Sequence, residues 1–241
     1  MAKQYQLEVT TVVHNKVKEK FSRDILKYLQ QYLPQKATVV EVGPGAGHFA
    51  NECIKQGHEF TAIEASIAIQ GQLTKLGVKY IDATIPPIPL DDECADLFYA
   101  SMVLEHMPTY TEVIEFVEEA KRVIRPNGLI CLIFPNAYAC GKTFWEMDYT
   151  HSYFTTPRRV TQLCSHLGLE VVEVQRVIGW FWVHSSFWHH ILRHLSNIFA
   201  IVINASFVVW LAENMGFGES LWKLRKTFFE ATIVIAHRMG A

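Results

Sequence analysis

Three glycines at alternate positions, Gly43, Gly45 and Gly47, follow the run Val39-Val40-Glu41-Val42 and precede His48-Phe49-Ala50. Such spacing clears Cβ atoms from one side of a turn. The backbone then comes into van der Waals contact with a ligand while its N–H groups open the next helix. That is the chemistry of a loop for a nucleotide-like cofactor, and its bland alternative is a plain strand-to-helix turn. His48 stands where a G-x-G-x-x-G fingerprint has its last glycine, which weighs against a dinucleotide. Glu64 ends the next apolar run, about 20 residues beyond the turn, where a carboxylate accepts hydrogen bonds from two ribose hydroxyls. The alternative for Glu64 is a solvated strand-end carboxylate. Asp82 closes a third run, and a fourth leads into Ser101-Met102-Val103-Leu104-Glu105-His106. All of these groups fall where open parallel sheets bind ligands, beyond the carboxyl ends of their strands.

The elements that must position them alternate strand and helix with short connections, the pattern of a parallel sheet covered on both faces. Periodicity predicts strands over 39–42, 59–64, 78–81, 95–100, 129–134, 169–177 and 231–237. Helices are expected over 49–56, 66–76, 111–124 and 156–167, with Gly57 and Gly77 closing the first two. Arg125-Pro126-Asn127-Gly128 reads as a turn into the fifth strand, and Tyr138 to Tyr153 as an aromatic-rich loop after it. Prolines 86, 87 and 89 lack N–H donors, so that segment is a surface loop. Ahead of the sheet, Val17, Phe21, Ile25, Leu26, Leu29 and Leu33 recur at helical spacing until Pro34. This helix covers a sheet edge or the cofactor mouth. Its lysine-rich opposite side is a solvated face or, alternatively, a basic face for anionic lipid headgroups.

The fold expected is therefore α/β: a doubly wound, mostly parallel seven-stranded sheet. Residues 1–36 form a helical cover, 37–178 the cofactor-binding core, 179–229 an apolar helical insertion and 230–241 the final strand. A chain of 241 residues suits one such domain with an insertion. A net charge of −2 supplies no basic field for nucleic acid. Five cysteines without a C-x-x-C pair, and a polar beginning at Met1-Ala2-Lys3, lead us to expect reduced thiols and a cytosolic location.

Taken together, Glu41-Val42-Gly43-Pro44-Gly45-Ala46-Gly47, Glu64, Asp82-Ala83, the run from Ala95 to Met107 and Arg122 to Leu129 resemble the class I S-adenosylmethionine-dependent methyltransferases. The nearest subgroup looks like the small-molecule enzymes related to the ubiquinone and menaquinone methyltransferases. The resemblance covers roughly 37–178 and the last strand. It implies S-adenosylmethionine as cofactor, with the glycine turn, led in by Glu41, packed on its methionine part. It further implies that Glu64 holds the ribose hydroxyls, that Asp82 and Ala83 meet the adenine, and that Ser101 lies in the same pocket. Asn127 departs from the glycine more usual in the family, but Asn tolerates positive φ. The absence of a P-loop lysine agrees with a cofactor that carries no phosphate.

Methyl transfer by in-line displacement asks mainly for positioning. If the acceptor is a hydroxyl, a histidine whose pKa lies near working pH can take its proton. His151 is the preferred base and His106 is expected to shape the pocket; each reads equally as a hydrogen-bonded wall residue. The expected reaction is methylation of a small-molecule hydroxyl on a sugar, quinone or lipid-linked glycan. The alternatives are a cofactor-binding scaffold or regulatory subunit without turnover, and an oxidoreductase.

The insertion carries Trp180, Trp182, Trp188 and the apolar stretch from Ile198 to Ala212, too short and too interrupted to span a bilayer. Three readings stay open for it: a lid over an apolar acceptor, a homodimer interface, or peripheral contact of 180–212 with the inner face of a membrane. His189, His190 and His194 have no carboxylate or cysteine close in sequence, so no metal is expected there.

Overall fold

In the computed structural model, residues 12–178, 195, 198–199, 202–203, 205–227 and 229–239 are described. Strands β1 (Thr38–Val42), β2 (Glu59–Ile63), β3 (Tyr80–Ile81), β4 (Ala95–Ser101), β5 (Ile124–Pro135), β6 (Leu169–Ile178) and β7 (Glu230–Arg238) form one sheet. Its order is β3-β2-β1-β4-β5-β7-β6. The first five strands are parallel, and β7 runs antiparallel to both β5 and β6. Strand order reverses between β1 and β4, which opens a crevice beyond their carboxyl ends.

Side chains alternate across the inner strands because successive Cβ atoms point to opposite faces. Val40, Val42, Phe98, Ala100, Ile130 and Leu132 go to one side, where they meet α4 (Tyr110–Val123). Val39, Leu97, Tyr99, Leu129 and Cys131 go to the other, in one cluster with residues of α1 (Val12–Leu29), α2 (His48–Lys55) and α3 (Ile67–Lys75). The inner face of α4 buries Val113, Phe116, Val117, Ala120 and Val123, and Ile124, expected in this helix, opens β5 instead. A capping box starts this helix: Thr109 Oγ1 accepts from the Glu112 N–H at 3.2 Å, and Glu112 Oε2 accepts from the Thr109 N–H at 3.0 Å. Each fully buried Phe or Leu on these faces contributes about 1.5–3 kcal/mol by leaving water, so the two layers hold the crevice rigid from both sides.

Three expectations change. The third strand shrinks from 78–81 to Tyr80–Ile81, at the sheet edge. The turn expected at Arg125 to Gly128 lies inside β5: Ala95 pairs with Ile124 but Leu97 with Leu129, so the extra residues bulge out, with Asn127 at φ +64. The aromatic loop folds into two short helices, α5 (Ala137–Cys140) and α6 (Thr143–Met147), before α7 (Pro157–His166). The proline segment is irregular as expected, yet Ile88 is buried, and Arg122 fixes the loop by donating to the Ile88 and Leu90 carbonyls at 2.9 and 2.8 Å.

Of the insertion, α8 (Ser206–Asn214) and α9 (Gly218–Thr227) are described. Arg225 anchors α9 to α6, donating to Thr143 Oγ1 and lying 3.6 Å from Glu146 Oε2. Trp180, Trp182, Trp188, His189, His190 and His194 lie outside the described residues. Among the described residues, no helix is long and apolar enough to cross a membrane.

Candidate functional site

The glycine turn does its work through three different constraints. All three glycines have positive φ, +66, +52 and +76, a region that L side chains rarely adopt. A Cβ on Gly43 would come 3.1 Å from Val103 Cγ2, and one on Gly47 would come 3.0 Å from Leu76 Cδ1. Gly45 is different: a Cβ there would meet nothing within 4 Å, because the turn faces a cavity of about 650 Å³. That size lies within the usual range of small-molecule and cofactor sites.

Glu41, Gly43, Gly45, Glu64, Ala83, Ser101 and His106 line this cavity. Gly47, Asp82 and His151 do not. Gly47 turns into α2 as its N-cap residue, and Asp82 is exposed past the end of β3. The short β3 ends before the cavity, and it is Ala83, Thr84 and Ile85 that reach it. Sequence reasoning missed Lys18, Phe21 and Ser22, through which α1 closes the near side. Their signal was the helix's expected place over the cofactor mouth. It also missed Tyr99, a β4 residue whose ring stacks on Phe49 at 3.8 Å between centroids. Met102, at φ +57, turns the chain over the rim after β4. A non-glycine residue held there costs about 1–3 kcal/mol, and strain of this kind gathers at functional sites.

The electrostatics single out the carboxylates. Glu41 is 3 % exposed on the inner strand β1, and its Oε2 has no hydrogen-bond partner. Burial, with the charge of Glu64 added, pushes its carboxyl up to about 8. Burial also raises Glu64, opposed by the N–H groups of Ser66 and Ala65, and Glu64 Oε1 accepts from Ser66 N–H at 2.7 Å. One carboxylate is therefore clamped at the end of β2 and the other is left wanting a donor. His48 Nε2 is likewise buried without a partner beside the cavity, its pKa lowered by burial and by the charge of Lys18. A turn stripped of Cβ atoms, an orphaned carboxylate and a clamped carboxylate at the next strand fit a cofactor that presents a cationic head and vicinal hydroxyls.

At the far end of the cavity is a polar corner. The 3-10 turn Leu104–His106 follows β4 and brings His106 to the cavity wall. His106 Nδ1 lies 2.7 Å from Thr150 Oγ1, and Thr150 in turn donates its hydroxyl to Asp148 Oδ1 at 2.7 Å. Thr150 has one proton and gives it to Asp148, so His106 must donate through Nδ1 and carry its lone pair on Nε2. His151 packs behind, with ring centroids 5.0 Å apart, and its Nδ1 donates to the Phe144 carbonyl at 2.5 Å. Burial lowers its pKa, against the pull of that bond and of Asp148. Asp148 stays below the usual carboxylate range: burial raises it, but the Thr150 N–H and hydroxyl outweigh burial. Glu105 is 1 % exposed and lifted to about 8 by burial; its Oε2 has no partner. Glu105 and the Asp148-x-Thr150-His151 spacing were visible in the sequence as a carboxylate beside each histidine.

A family model described as a methyltransferase domain matches residues 13–174. An uncharacterized methyltransferase of Mycobacteroides abscessus is 32 % identical over 131 residues, covering 48 % of this chain and 46 % of that one. A malonyl-[acyl-carrier protein] O-methyltransferase of Pectobacterium atrosepticum is 26 % identical over 94 residues, 38 % of this chain and 36 % of that one. The chain thus spans half or less of the length of the curated relatives it matches. Among solved structures, a SAM-dependent methyltransferase from Archaeoglobus fulgidus superposes with a TM-score of 0.60 at 15 % identity, over 91 % of this chain and 94 % of that one. The 1,6-didemethyltoxoflavin-N1-methyltransferase of Burkholderia thailandensis, solved with S-adenosylhomocysteine, superposes at 0.59 and 13 %, over 95 % and 81 %. At such identities the likeness is one of fold. With the matched domain spanning most of the chain, and the glycine turn and strand-end carboxylates on one cavity, the chain belongs to the class I S-adenosylmethionine-dependent methyltransferases.

Proposed function

We propose that this methyltransferase acts on a hydroxyl of a small molecule: a sugar, a quinone or the glycan of a lipid-linked acceptor. The observation that carries the reading is the continuity of one cavity from the glycine turn to His106. When bound, S-adenosylmethionine supplies a methyl group on a sulfonium, ready for in-line displacement. Gly43 and Gly45 give the methionine part a backbone surface, Glu41 faces its cationic head, Glu64 takes the ribose hydroxyls, and Ala83 and Ser101 complete the pocket. Asp82, on the exposed side of β3, is left with a supporting place next to the adenine contact of Ala83.

His106 is the histidine that an acceptor entering this cavity meets, and its Nε2 lone pair holds the acceptor hydroxyl directly or through a bound ion. His151 supports it from behind. The name of the Pectobacterium relative, an O-methyltransferase, agrees with an oxygen acceptor. For the insertion we propose a lid over the apolar part of the acceptor, with a homodimer interface and a peripheral membrane contact as the alternatives. Supporting this, Phe207, Trp210, Met215 and Phe217 are each more than half exposed, and α9 is tied to α6 through Arg225. Flotation with vesicles separates the membrane reading from the other two.

The test is transfer of a labelled methyl group from S-adenosylmethionine to a panel of sugars, phenols and lipid-linked glycans. Transfer to a hydroxyl class, lost in His106→Ala with cofactor affinity intact, supports the reading. Cofactor binding without transfer to any hydroxyl acceptor refutes it.

A further inference from the structure

The polar corner holds more than a methyl acceptor requires. Glu105, His106 and His151 each place one ligand atom within 4.8 Å of the others. A tetrahedral ion with bonds of about 2.1 Å sets its ligand atoms about 3.4 Å apart, so side-chain adjustments of about an ångström close the set. Both histidines already give their Nδ1 proton away, His151 to the Phe144 carbonyl and His106 to Thr150, which is backed by Asp148. Metal-binding histidines are held in this way, with the second nitrogen donating to a carbonyl or a carboxylate so that Nε2 coordinates. Coordination through Nε2 leaves each of these hydrogen bonds intact. A second observation points the same way: Glu105 is 1 % exposed and its Oε2 has no partner, an orphaned acceptor within the same cluster.

We propose that Glu105, His106 and His151 bind one divalent transition-metal ion of the zinc, manganese or cobalt type at the wall of the acceptor cavity. Two imidazole nitrogens and one carboxylate oxygen suit such ions better than magnesium or calcium, which favour all-oxygen shells. Three protein ligands leave coordination positions for water or for an acceptor oxygen, whose proton affinity the ion lowers. That catalytic consequence rests on the cavity being the acceptor site; binding of the ion does not.

The test titrates cobalt and zinc ions into the chelator-treated full chain, followed by calorimetry and by the visible d–d absorption of cobalt. One equivalent should bind with nitrogen-type cobalt bands, and Glu105→Gln or His151→Ala should weaken it by about 100-fold or more. Glu105 is buried, so Asp148→Asn is included as a variant outside the ligand set; losing the backing of His106 should cost about 10–100-fold in ion affinity. Binding of S-adenosylhomocysteine serves as the check that each variant is folded. No stoichiometric binding by the folded chain, or a cobalt spectrum indifferent to Glu105→Gln and His151→Ala, overturns the proposal. Methyl transfer that survives chelation sinks the ion's catalytic role while leaving ion binding and the hydroxyl reading standing, and absence of stoichiometric binding sinks the site itself, so the readings fail separately.

Discussion

The two ends of the cavity are built differently. At the cofactor end Glu41, the glycine turn and Glu64 sit on, or immediately after, the parallel strands β1 and β2, and the interacting residues are close in sequence or in register: Glu41 beside the glycine turn, Glu64 bonded to Ser66, Gly43 N–H bonded to the Ile63 carbonyl at 3.0 Å. At the His106 end, the proposed acceptor side, Glu105 and His106 come from the turn after β4, while Asp148, Thr150 and His151 come from the segment after α6. One bond that joins them, His106 to Thr150, spans 44 residues, and the Ser152 and Tyr153 N–H groups add two more to the Glu105 carbonyl at 2.7 and 3.1 Å. The difference teaches that the groups of the cofactor end are held by the rigid sheet whereas the polar corner is built on connections, which can change without disturbing the core.

If that division is right, substitutions at one end should move one readout and leave the other alone. The largest effect is expected at Gly45. Gly45→Val forces a β-branched residue to φ +52 and fills the open face of the turn. Cofactor affinity should fall by about 100-fold or more because the side chain fills the space the cofactor needs against the turn, while the backbone strain of about 1–3 kcal/mol lowers stability. The chain should stay folded, because nothing lies within 4 Å of the new Cβ; calorimetry with S-adenosylhomocysteine and a melting curve check both halves. Next comes Glu64→Ala. Charge-assisted hydrogen bonds to hydroxyls contribute about 1.5–3 kcal/mol together, so affinity should drop about 10–100-fold, with KM for the acceptor unchanged.

Thr150→Val probes the other end. It removes the acceptor for His106 Nδ1 and the donor to Asp148, so turnover should fall about 10-fold or more, while cofactor affinity stays at the wild-type value. Thr150→Ser, which keeps the hydroxyl, should restore it. A loss of cofactor affinity in Thr150→Val would break the division.

The smallest effect is a slope. The folded chain keeps the Glu41 proton to about pH 8, whereas the unfolded chain releases it near 4.5. The folded state therefore binds more protons within that window, and this group's contribution to stability declines as pH rises from 4.5 to about 8. Glu41→Gln cannot ionise and should flatten the pH dependence of stability by about one proton in denaturant melts. It should also abolish proton release on cofactor binding, measured by calorimetry in buffers of differing ionisation enthalpy.

The cofactor end was legible because its causes are local. A strand, a turn that demands positive φ and a carboxylate at the next strand end leave a pattern of residue types within a few positions. The alternation of strand and helix and most of the buried face of α4 were legible for the same reason, whereas α1 could be read over a sheet edge or over the cavity. Asp82 lies exposed just past a two-residue edge strand while its neighbour Ala83 lines the cavity, and no periodicity reports where a strand runs out. The bulge in β5 read as a turn because Pro126-Asn127-Gly128 has turn chemistry whether or not the strand resumes its pairing afterwards.

Sequence by itself determined the fold class, the family and the cofactor, since backbone sterics and hydrophobic period act over short stretches of chain. It also named both histidines. Tertiary structure decided which of them faces the cavity, which nitrogen of each holds the proton, and that a buried carboxylate stands beside them with an oxygen to spare. Those are properties of burial and of partners far apart along the chain. They come into being when the end of β4 and the segment after α6 pack against each other.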